Sequence, residues 1–389
     1  MISSARAELS TSDLEMLAGQ LGFHSNLSSL FARIFDGRHG IPDGDLDGLL
    51  ELISREITTN EKGSERSLRC RYVLALGLRQ LGQGNRLSVD RRTVLNRFIA
   101  THRLHVPDIL EVNLPHGAVL ECNMDEYVQM LTWVCDSYES TEGYIISSVI
   151  SGPECIVDAG ANIGQYAVQF GKMIDSNGTV HAFEPVKRNY RRLSGNVLRN
   201  CLSDRCIINE SALWDKEGKC EVVLPEECQG ECPNYGAFYL RETSESHVGA
   251  VTCVDLDTYC DRERIGRIDV MKVDVEGNEV RVLLGAKKVI ERNRPIVMME
   301  VNKRALERVG SSLEGLSSVV FRQGFNVINI GNSSSECEKL DSLTGIDYSN
   351  VLLYMGSPPQ IMNRIWDQAS VRRWIAASNA SQPRGLLAT

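Results

Sequence analysis

The stretch of sequence that decides the fold reads Val157-Asp-Ala-Gly-Ala-Asn-Ile-Gly-Gln-Tyr166. It leaves a short apolar run, turns on small residues and opens into a segment with apolar residues at helical spacing. Gly160 allows a tight bend and the close approach of a ligand, and Gly164 permits close packing of a helix against a strand. The stretch therefore predicts a strand, a glycine-rich loop and a helix, with a ligand site at the carboxyl end of the strand.

Two carboxylates flank this loop and narrow the choice of ligand. A dinucleotide fingerprint places three glycines around a pyrophosphate, whereas Asn162 takes the middle glycine position here and Asp158 precedes the loop. A carboxylate at this position repels a pyrophosphate but suits a ligand that carries an ammonium and a sulfonium group. Glu184 ends the next predicted strand, 20 residues beyond Gly164, where a carboxylate can accept hydrogen bonds from both ribose hydroxyls. These features favour S-adenosylmethionine over a dinucleotide, and the alternative is a tight structural turn capped by Asp158.

Outside this stretch the chain alternates strands and helices. Apolar strand runs are predicted at residues 156–158, 179–184, 206–209, 268–273, 295–300, 325–330 and 350–355. The alternation predicts an α/β fold with a mostly parallel sheet and helices on both faces. The last two runs lack a clear helix between them, so we expect one antiparallel edge strand. Ser211 and Ala212 follow the third run, where small residues would let an adenine base lie flat, and a plain loop is the alternative.

A second polar constellation, Lys272-Val-Asp274-Val-Glu276, follows the strongest core strand. Asp274 and Glu276 lie two residues apart, so both face one side if the strand continues. They then lie at the same sheet edge as the glycine loop, and we predict catalytic roles for Asp274, Glu276 and Lys272. One carboxylate would take the proton of an attacking hydroxyl. The alternatives are that the carboxylates hold the ammonium of the ligand, orient Lys272 or cap the next helix.

Together these segments resemble the FkbM family of S-adenosylmethionine-dependent methyltransferases. The resemblance rests on residues 157–166, 182–185 and 269–279 and covers roughly residues 118–356. It implies a class I, Rossmann-like methyltransferase sheet and O-methylation of a hydroxyl on a sugar, glycolipid or polyketide-type acceptor. It also implies which residues bind the cofactor, with Glu184 holding its ribose: Asp158, Gly160, Asn162, Gly164 and Glu184.

The composition is that of a globular protein, with 42% hydrophobic and 24% charged residues in 389. The formal net charge of -9 makes nucleic-acid phosphates unfavourable partners. The sequence shows no apolar run long enough for a membrane helix and no secretory signal, so we expect a cytoplasmic protein without a membrane span. The 12 cysteines form no C-x-x-C pair and lack accompanying histidines, which predicts reduced, buried thiols and no metal site.

Three regions are predicted along the chain. Residues 1–105 form a helical N-terminal region of unknown role, residues 106–357 an FkbM-like methyltransferase domain, and residues 358–389 a tail that could contain a short docking helix. The expected partners are S-adenosylmethionine and a small-molecule or glycan acceptor with a free hydroxyl, while residues 1–105 could bind a protein. The competing interpretations are an NAD-dependent oxidoreductase, which Asp158 and Asn162 disfavour, and a non-catalytic adenosyl-ligand-binding or scaffold protein that keeps the fold.

Overall fold

The computed structural model describes residues 51, 109–124, 126–135, 139–150, 152, 154–226, 234–242, 250–330 and 338–356. Apart from Glu51, which is helical, the predicted helical region at residues 1–105 lies outside the described residues, as does the tail at residues 358–389. Contacts divide the chain into two compact units, residues 1–110 with 122–138 and residues 111–121 with 139–389.

The described strands are, in chain order, β1 (Ile109–Leu114), β2 (Ala118–Asn123), β3 (Cys155–Ala159), β4 (Thr179–Phe183), β5 (Cys206–Asn209), β6 (Ala212–Trp214), β7 (Gly218–Val223), β8 (Tyr239–Glu242), β9 (Val251–Asp255), β10 (Val270–Val273), β11 (Ile296–Asn302), β12 (Asn326–Asn329), β13 (Glu338–Leu340) and β14 (Tyr348–Tyr354). The described α-helices are α1 (Tyr127–Cys135), α2 (Ser140–Ser147), α3 (Gln165–Met173), α4 (Lys187–Arg199), α5 (Leu256–Glu263), α6 (Glu279–Gly285), α7 (Lys287–Asn293), α8 (Lys303–Arg308) and α9 (Leu313–Arg322). None of these described helices is both long enough and apolar enough to cross a bilayer.

Within the first unit, helix α1 begins after a local network of hydrogen bonds. The Oε2 atom of Glu126 accepts a hydrogen bond of 2.8 Å from the Gln129 backbone N–H. The Oε1 atom of Gln129 accepts one of 2.8 Å from the Asn123 backbone N–H. The first of these bonds satisfies a donor that the start of a helix leaves without a partner.

The second unit contains an eight-stranded sheet in the order β13-β12-β14-β11-β10-β3-β4-β5. Strands β11, β10, β3, β4 and β5 run parallel to one another, which confirms the predicted mostly parallel α/β sheet. Side chains of these strands, such as Val157, Met271 and Val297, are fully buried, as expected for parallel strands covered on both faces. The carboxyl ends of the adjacent strands β10, β3 and β4 therefore lie next to one another. The carboxyl edge of the sheet means this end of the parallel strands.

The predicted antiparallel edge strand is wrong in position. Strand β14 does run antiparallel, but it lies between β11 and β12, inside the sheet. Its residues from Ser349 to Tyr354 are all buried, so the strand needs a neighbour on each side. The edge is instead formed by β13, which pairs antiparallel with β12. This three-residue strand carries Glu338 and Lys339, and short, charged strands suit an edge because they discourage further pairing.

A smaller four-stranded sheet follows β5, in the order β6-β9-β7-β8. Its core contains Ala212, Trp214, Cys220, Leu240 and Cys253. The sequence predicts strand-like runs at residues 220–224 and 251–254, which correspond to β7 and β9. A plain loop was the alternative at the position of β6, and β8 was not anticipated. Trp214 is 2% exposed, and the Arg281 guanidinium lies 4.7 Å from the centre of its ring. The indole is thus packed inside this small sheet.

Candidate active site

The glycine loop follows β3, and every second residue from Gly160 to Gly164 has a left-handed backbone conformation. Gly160, Asn162 and Gly164 have φ angles of 83°, 50° and 92°. The backbone N–H groups of Gly160 and Ala161 donate to the carbonyl oxygen of Phe183, at 3.1 and 2.9 Å. A Cβ atom on Gly160 would lie 1.9 Å from the Asp274 carbonyl oxygen, so only glycine fits there. The loop is thereby held against the ends of both β4 and β10.

Glu184 fixes the loop from the end of β4. Its Oε2 atom accepts a hydrogen bond from the Asn162 N–H and its Oε1 atom one from the Val186 N–H, both at 2.8 Å. The carboxyl is only 4% exposed, and burial raises its pKa to about 8. The Asn189 side chain also hydrogen-bonds this carboxyl. A carboxylate has about four lone-pair positions, so the group can still accept a hydrogen bond from a ribose hydroxyl.

Asp158, the penultimate residue of β3, has a fully buried carboxyl. Its exposure is 0%, and neither oxygen makes a hydrogen bond of ordinary geometry among the described residues, although the Ala167 backbone N–H is near enough to lower its pKa. Burial raises its pKa to about 6, although the nearby charge of Lys272 opposes this shift. A buried carboxylate without well-placed donors is costly, and a cationic ligand would offset that cost.

Lys272 lies beside Asp158, because the two residues are paired in the register of β10 and β3. Its Nζ atom lies 2.8 Å from Asp274 Oδ2 and 4.7 Å from the centre of the Tyr166 ring. Burial alone would lower the pKa of Lys272, but the carboxylates of Asp274, Asp158 and Glu139 raise it above its usual value. The lysine is therefore charged, and it holds the Asp274 carboxylate in one orientation.

Asp274 and Glu276 lie in a turn after β10. The sequence predicted instead that the strand continues, so that alternate side chains face one side. The strand ends at Val273, and Glu276 then adopts a left-handed φ of 53°. Glu279 closes this turn, because its Oε1 atom accepts hydrogen bonds from the N–H groups of Val275 and Gly277. The predicted capping role is not seen: Asn278 is the N-cap residue of α6, and its side chain makes no capping hydrogen bond.

Gly277 tests how tightly this turn is packed. Its φ is +102°, and an added Cβ would lie 2.2 Å from the Ala305 carbonyl oxygen. We expect Gly277→Ala to lower the free energy of unfolding by about 3 kcal/mol or more. Gly324→Ala is the matched control: its φ is +86° with nothing within 4 Å, so only backbone strain of about 1 kcal/mol applies. Urea unfolding measures both losses, and equal losses would mean that the turn can move away from Ala305.

Glu300, on β11, completes a group of three carboxyls with Asp274 and Glu276. One oxygen from each lies within 4.8 Å of the others. Burial and the neighbouring carboxylates raise the pKa of Glu276 to about 8 and that of Glu300 well above its usual value. Protonation of these two groups relieves the repulsion. The sequence predicted no metal site but left a divalent cation possible because of its several carboxylates, and this group of three is one that could hold such a cation.

Sequence reasoning missed several acidic residues of the site. Glu139 precedes α2, accepts a hydrogen bond of 2.9 Å from the Tyr166 hydroxyl, and has a pKa raised to about 8 by burial. Glu142 is 4% exposed and accepts a hydrogen bond from Asn350 at 3.1 Å. Both glutamates precede the glycine loop in the sequence and belong to no motif. Glu300 had a weak signal, because it is the one acidic residue within the apolar run 295–300.

Ser211 and Ala212 lie at the start of the small sheet. Ser211 is half-buried before β6, and Ala212 is 4% exposed in that strand, where it pairs with Cys253. The structure brings together the other predicted site residues through the backbone of the glycine loop and β10. Contact of Ser211 and Ala212 with an adenine base stays a prediction.

The charge of the site indicates what it can bind. Asp158, Asp274, Glu276 and Glu300 converge near the single ammonium of Lys272 in this part of the described chain. With Glu276 and Glu300 protonated, the negative charge lies on Asp158 and Asp274, and the guanidinium of Arg308 lies near Glu276. A buried carboxylate such as Asp158 favours an adenosyl ligand with sulfonium and ammonium charges over a pyrophosphate. The Glu184 carboxylate next to the loop supplies acceptors for its ribose.

The comparisons with known proteins agree with this geometry. Residues 158–327 match the family described as the methyltransferase FkbM domain. The AMB antimetabolite synthetase AmbE of Pseudomonas aeruginosa is 26% identical, over 56% of this chain and 12% of its own length. Methyltransferase sdnD of Sordaria araneosa is 31% identical, over 36% of this chain and 63% of its own length. The chain thus spans less than two thirds of either relative.

Among solved structures, methyltransferase FkbM from Methylobacillus flagellatus shares 14% identity, with a TM-score of 0.35, over 72% of this chain and 59% of that one. The family match covers both motifs, from Asp158 through the glycine loop, Glu184 and Glu279 to Val327. S-adenosylmethionine, the cofactor predicted from the sequence, is the cofactor of this family. Residues 158–327 therefore match the FkbM methyltransferase domain, which confirms the resemblance that the sequence motifs indicated.

Proposed function

We propose that this methyltransferase transfers the methyl group of S-adenosylmethionine to a hydroxyl oxygen of a small-molecule or glycan acceptor. The observation that supports the proposal most directly is the Lys272–Asp274 ion pair of 2.8 Å at the sheet edge that carries the glycine loop. An oriented carboxylate at this edge can bind a hydroxyl and accept its proton. The acceptor class follows from the resemblance: a sugar, a glycolipid or a polyketide-type compound.

The cofactor contacts are assigned by chemistry. Asp158 would bind the ammonium group of S-adenosylmethionine, because its buried oxygens accept no hydrogen bond of ordinary geometry from the described residues. Glu184 would accept hydrogen bonds from the ribose diol, and Gly160, Asn162 and Gly164 would line the loop under the ligand. Ser211 and Ala212 would lie beside the adenine.

The reaction needs little more than placement of the two reacting groups. Bound S-adenosylmethionine supplies an electrophilic methyl group from its sulfonium. Asp274 would accept a hydrogen bond from the acceptor hydroxyl and take its proton as the oxygen–carbon bond forms and the sulfur–carbon bond breaks. Lys272 would keep Asp274 Oδ2 in place, and Glu276 would offer a second contact to the acceptor. The products are a methyl ether and S-adenosylhomocysteine.

The wider assignments are proposals as well. The name of AmbE describes a synthetase of an antimetabolite, which supports a small-molecule acceptor for the related segment of this chain. We propose residues 106–357 as the full methyltransferase domain and residues 1–105 as a region that could bind a protein partner. The tail at residues 358–389 would contain a docking helix.

Binding and chemistry test this proposal separately. Calorimetric titration of the full chain should show micromolar affinity for S-adenosylmethionine and S-adenosylhomocysteine and no heat with NAD. A panel of hydroxylated acceptors is then incubated with methyl-labelled S-adenosylmethionine, each beside its deoxy analogue. We expect label only with the hydroxylated compound and a methyl ether in the NMR spectrum of the product. A methylated amine or carbon would contradict the oxygen specificity, and adenosyl binding without transfer to any acceptor would favour the non-catalytic alternative.

A further inference from the structure

Two cysteine side chains meet inside the small sheet, away from the glycine loop. Cys220 lies on β7 and Cys253 on β9, and their Sγ atoms are 2.9 Å apart. Both residues are 2% exposed. The sequence predicted idle, reduced thiols, yet cysteines 33 residues apart in the chain share one contact. We propose that Cys220 and Cys253 form an intramolecular disulfide when the protein meets a peroxide.

The register of the two strands makes this bond geometrically accessible. β7 and β9 are antiparallel, with Cys220 opposite Val251 and Gly218 opposite Cys253. The two cysteines are therefore diagonal neighbours on one face, within the same apolar core. A disulfide has a sulfur–sulfur distance of about 2.05 Å, so the sulfur atoms need to approach by only about 1 Å. Diagonal neighbours on adjacent strands lie about 7–8 Å apart, at the upper limit for a disulfide, so a small shift of the two strands would accompany the approach of the sulfur atoms.

The surroundings distinguish the two thiols. The thiol of Cys253 donates its hydrogen bond to Cys220 Sγ. This bond lowers the pKa of Cys220 against the opposing effect of burial, and the charge of Arg281 lowers it further. The same contact, together with burial, raises the pKa of Cys253. Cys220 is thus the better nucleophile of the pair, because the thiolate is the reactive form.

The reaction balances with a peroxide as the oxidant. The Cys220 thiolate attacks one peroxide oxygen, the oxygen–oxygen bond breaks, and hydroxide leaves to give a sulfenic acid. Cys253 Sγ then attacks the Cys220 sulfur, the sulfur–sulfur bond forms and water leaves. Two thiols lose two electrons in all, and one peroxide is reduced to two waters.

The bond would join two strands of the sheet that carries Ala212. Cys253 faces Cys220 on one side, and its backbone pairs with Ala212 of β6 on the other. Closing a loop of this length restricts the unfolded chain more than the folded one. The oxidised protein should therefore melt roughly 5 °C or more above the reduced protein.

Mass spectrometry of the full-length protein tests the proposal. Reduced protein is treated with hydrogen peroxide, alkylated, and digested with trypsin and a glutamyl endopeptidase, because Glu221 separates Cys220 from Cys228 and Cys232. Chymotrypsin then separates Cys253 from Cys260 by cleavage after Tyr259. We expect one linked peptide that joins Cys220 to Cys253.

Single variants assign the roles. In Cys253→Ala, Cys220 should be trapped as a sulfenic acid by dimedone, and in Cys220→Ala the oxidation of Cys253 should slow at least about tenfold. Both variants should lose the difference in melting temperature between oxidised and reduced protein, whereas Cys260→Ala, which removes another buried cysteine, should keep it. The proposal is overturned if Cys220 and Cys253 are both recovered alkylated after the exposed Cys201 has reacted. Linkage of either one to Cys228 or Cys232 would overturn it as well.

Discussion

Asp274→Asn is expected to lower kcat for methyl transfer about a thousandfold, with little change in the affinity for S-adenosylhomocysteine. The carboxylate lies 2.8 Å from Lys272 Nζ at the carboxyl edge of β10, in the position proposed for the acceptor hydroxyl. An amide keeps the size of the side chain but cannot accept the proton of the attacking hydroxyl. Initial rates at saturating S-adenosylmethionine measure kcat, and calorimetry measures the affinity for S-adenosylhomocysteine.

A second aspartate near the same strand provides the matched control. Asp269 precedes β10 at its opposite end, where its Oδ2 atom accepts a hydrogen bond of 2.9 Å from the Cys155 N–H and its Oδ1 atom pairs with Arg267. Asp269→Asn therefore removes the same charge and a similar ion pair, far from the glycine loop. It should reduce stability by about 1 kcal/mol and leave kcat within twofold.

The outcome separates chemistry from folding. If Asp274→Asn and Asp269→Asn lose similar stability but only the former loses kcat, the defect lies in the reaction. If Asp274→Asn keeps kcat within tenfold of the original protein, Asp274 does not take the proton in the rate-limiting step. Glu276, with its pKa raised to about 8, would then be the carboxyl to replace next.

The sequence allowed prediction of those parts of the fold whose signals are local. The glycine loop between an apolar strand and an amphipathic helix identified β3 and α3, and the apolar runs located β4, β5, β10 and β11 within a few residues. The order of the remaining strands depends on contacts between distant segments. The apolar run at residues 350–355 indicated a buried strand, but its amino-acid sequence does not show that the strand inserts between β11 and β12.

The site residues also fall into two groups, those that local sequence predicts and those that depend on contacts between distant segments. Asp158 lies near the end of β3, and Glu184 and Asp274 directly follow β4 and β10. Their positions at the carboxyl ends of these strands therefore followed from parallel pairing. Glu139 and Glu142 reach the site from α2 and the residue before it, through hydrogen bonds to Tyr166 and Asn350. Such contacts between segments far apart in the chain have no pattern in a single sequence. The contact of Cys220 with Cys253 belongs to the same class.

Glu184 carries the second large expected effect. Glu184→Ala should weaken S-adenosylhomocysteine binding about 100-fold, or about 2.7 kcal/mol, and Glu184→Gln about tenfold. Alanine leaves the N–H groups of Asn162 and Val186 without the acceptors they have at 2.8 Å, and it removes the proposed ribose contact. Glutamine keeps one oxygen acceptor.

Glu154→Gln is the control for this substitution. Glu154 is also a buried glutamate with a carboxylate bonded to a backbone N–H, that of Gly152 at 2.8 Å, but it lies before β3 at the other edge of the sheet. The Glu154→Gln substitution should leave the affinity for S-adenosylhomocysteine unchanged within about twofold. A similar loss in both glutamine variants would mean that Glu184 acts through general stability rather than through the ligand.

The pH dependence of binding tests the contact itself. Burial raises the pKa of Glu184 to about 8, against the hydrogen bonds from the Val186 and Asn162 N–H groups, and Asp158 raises it further. The carboxyl is therefore mostly protonated below about pH 8, whereas ribose hydroxyls donate to the ionised form. Binding below this pH must release a proton, so affinity should be about tenfold weaker near pH 6.5 than near pH 8. Glu184→Gln, which has no proton to release, should lose most of this slope. A tenfold slope that persists in Glu184→Gln would show that Glu184 does not release the proton; Asp158, whose pKa is raised to about 6, would change affinity mainly below about pH 6.5.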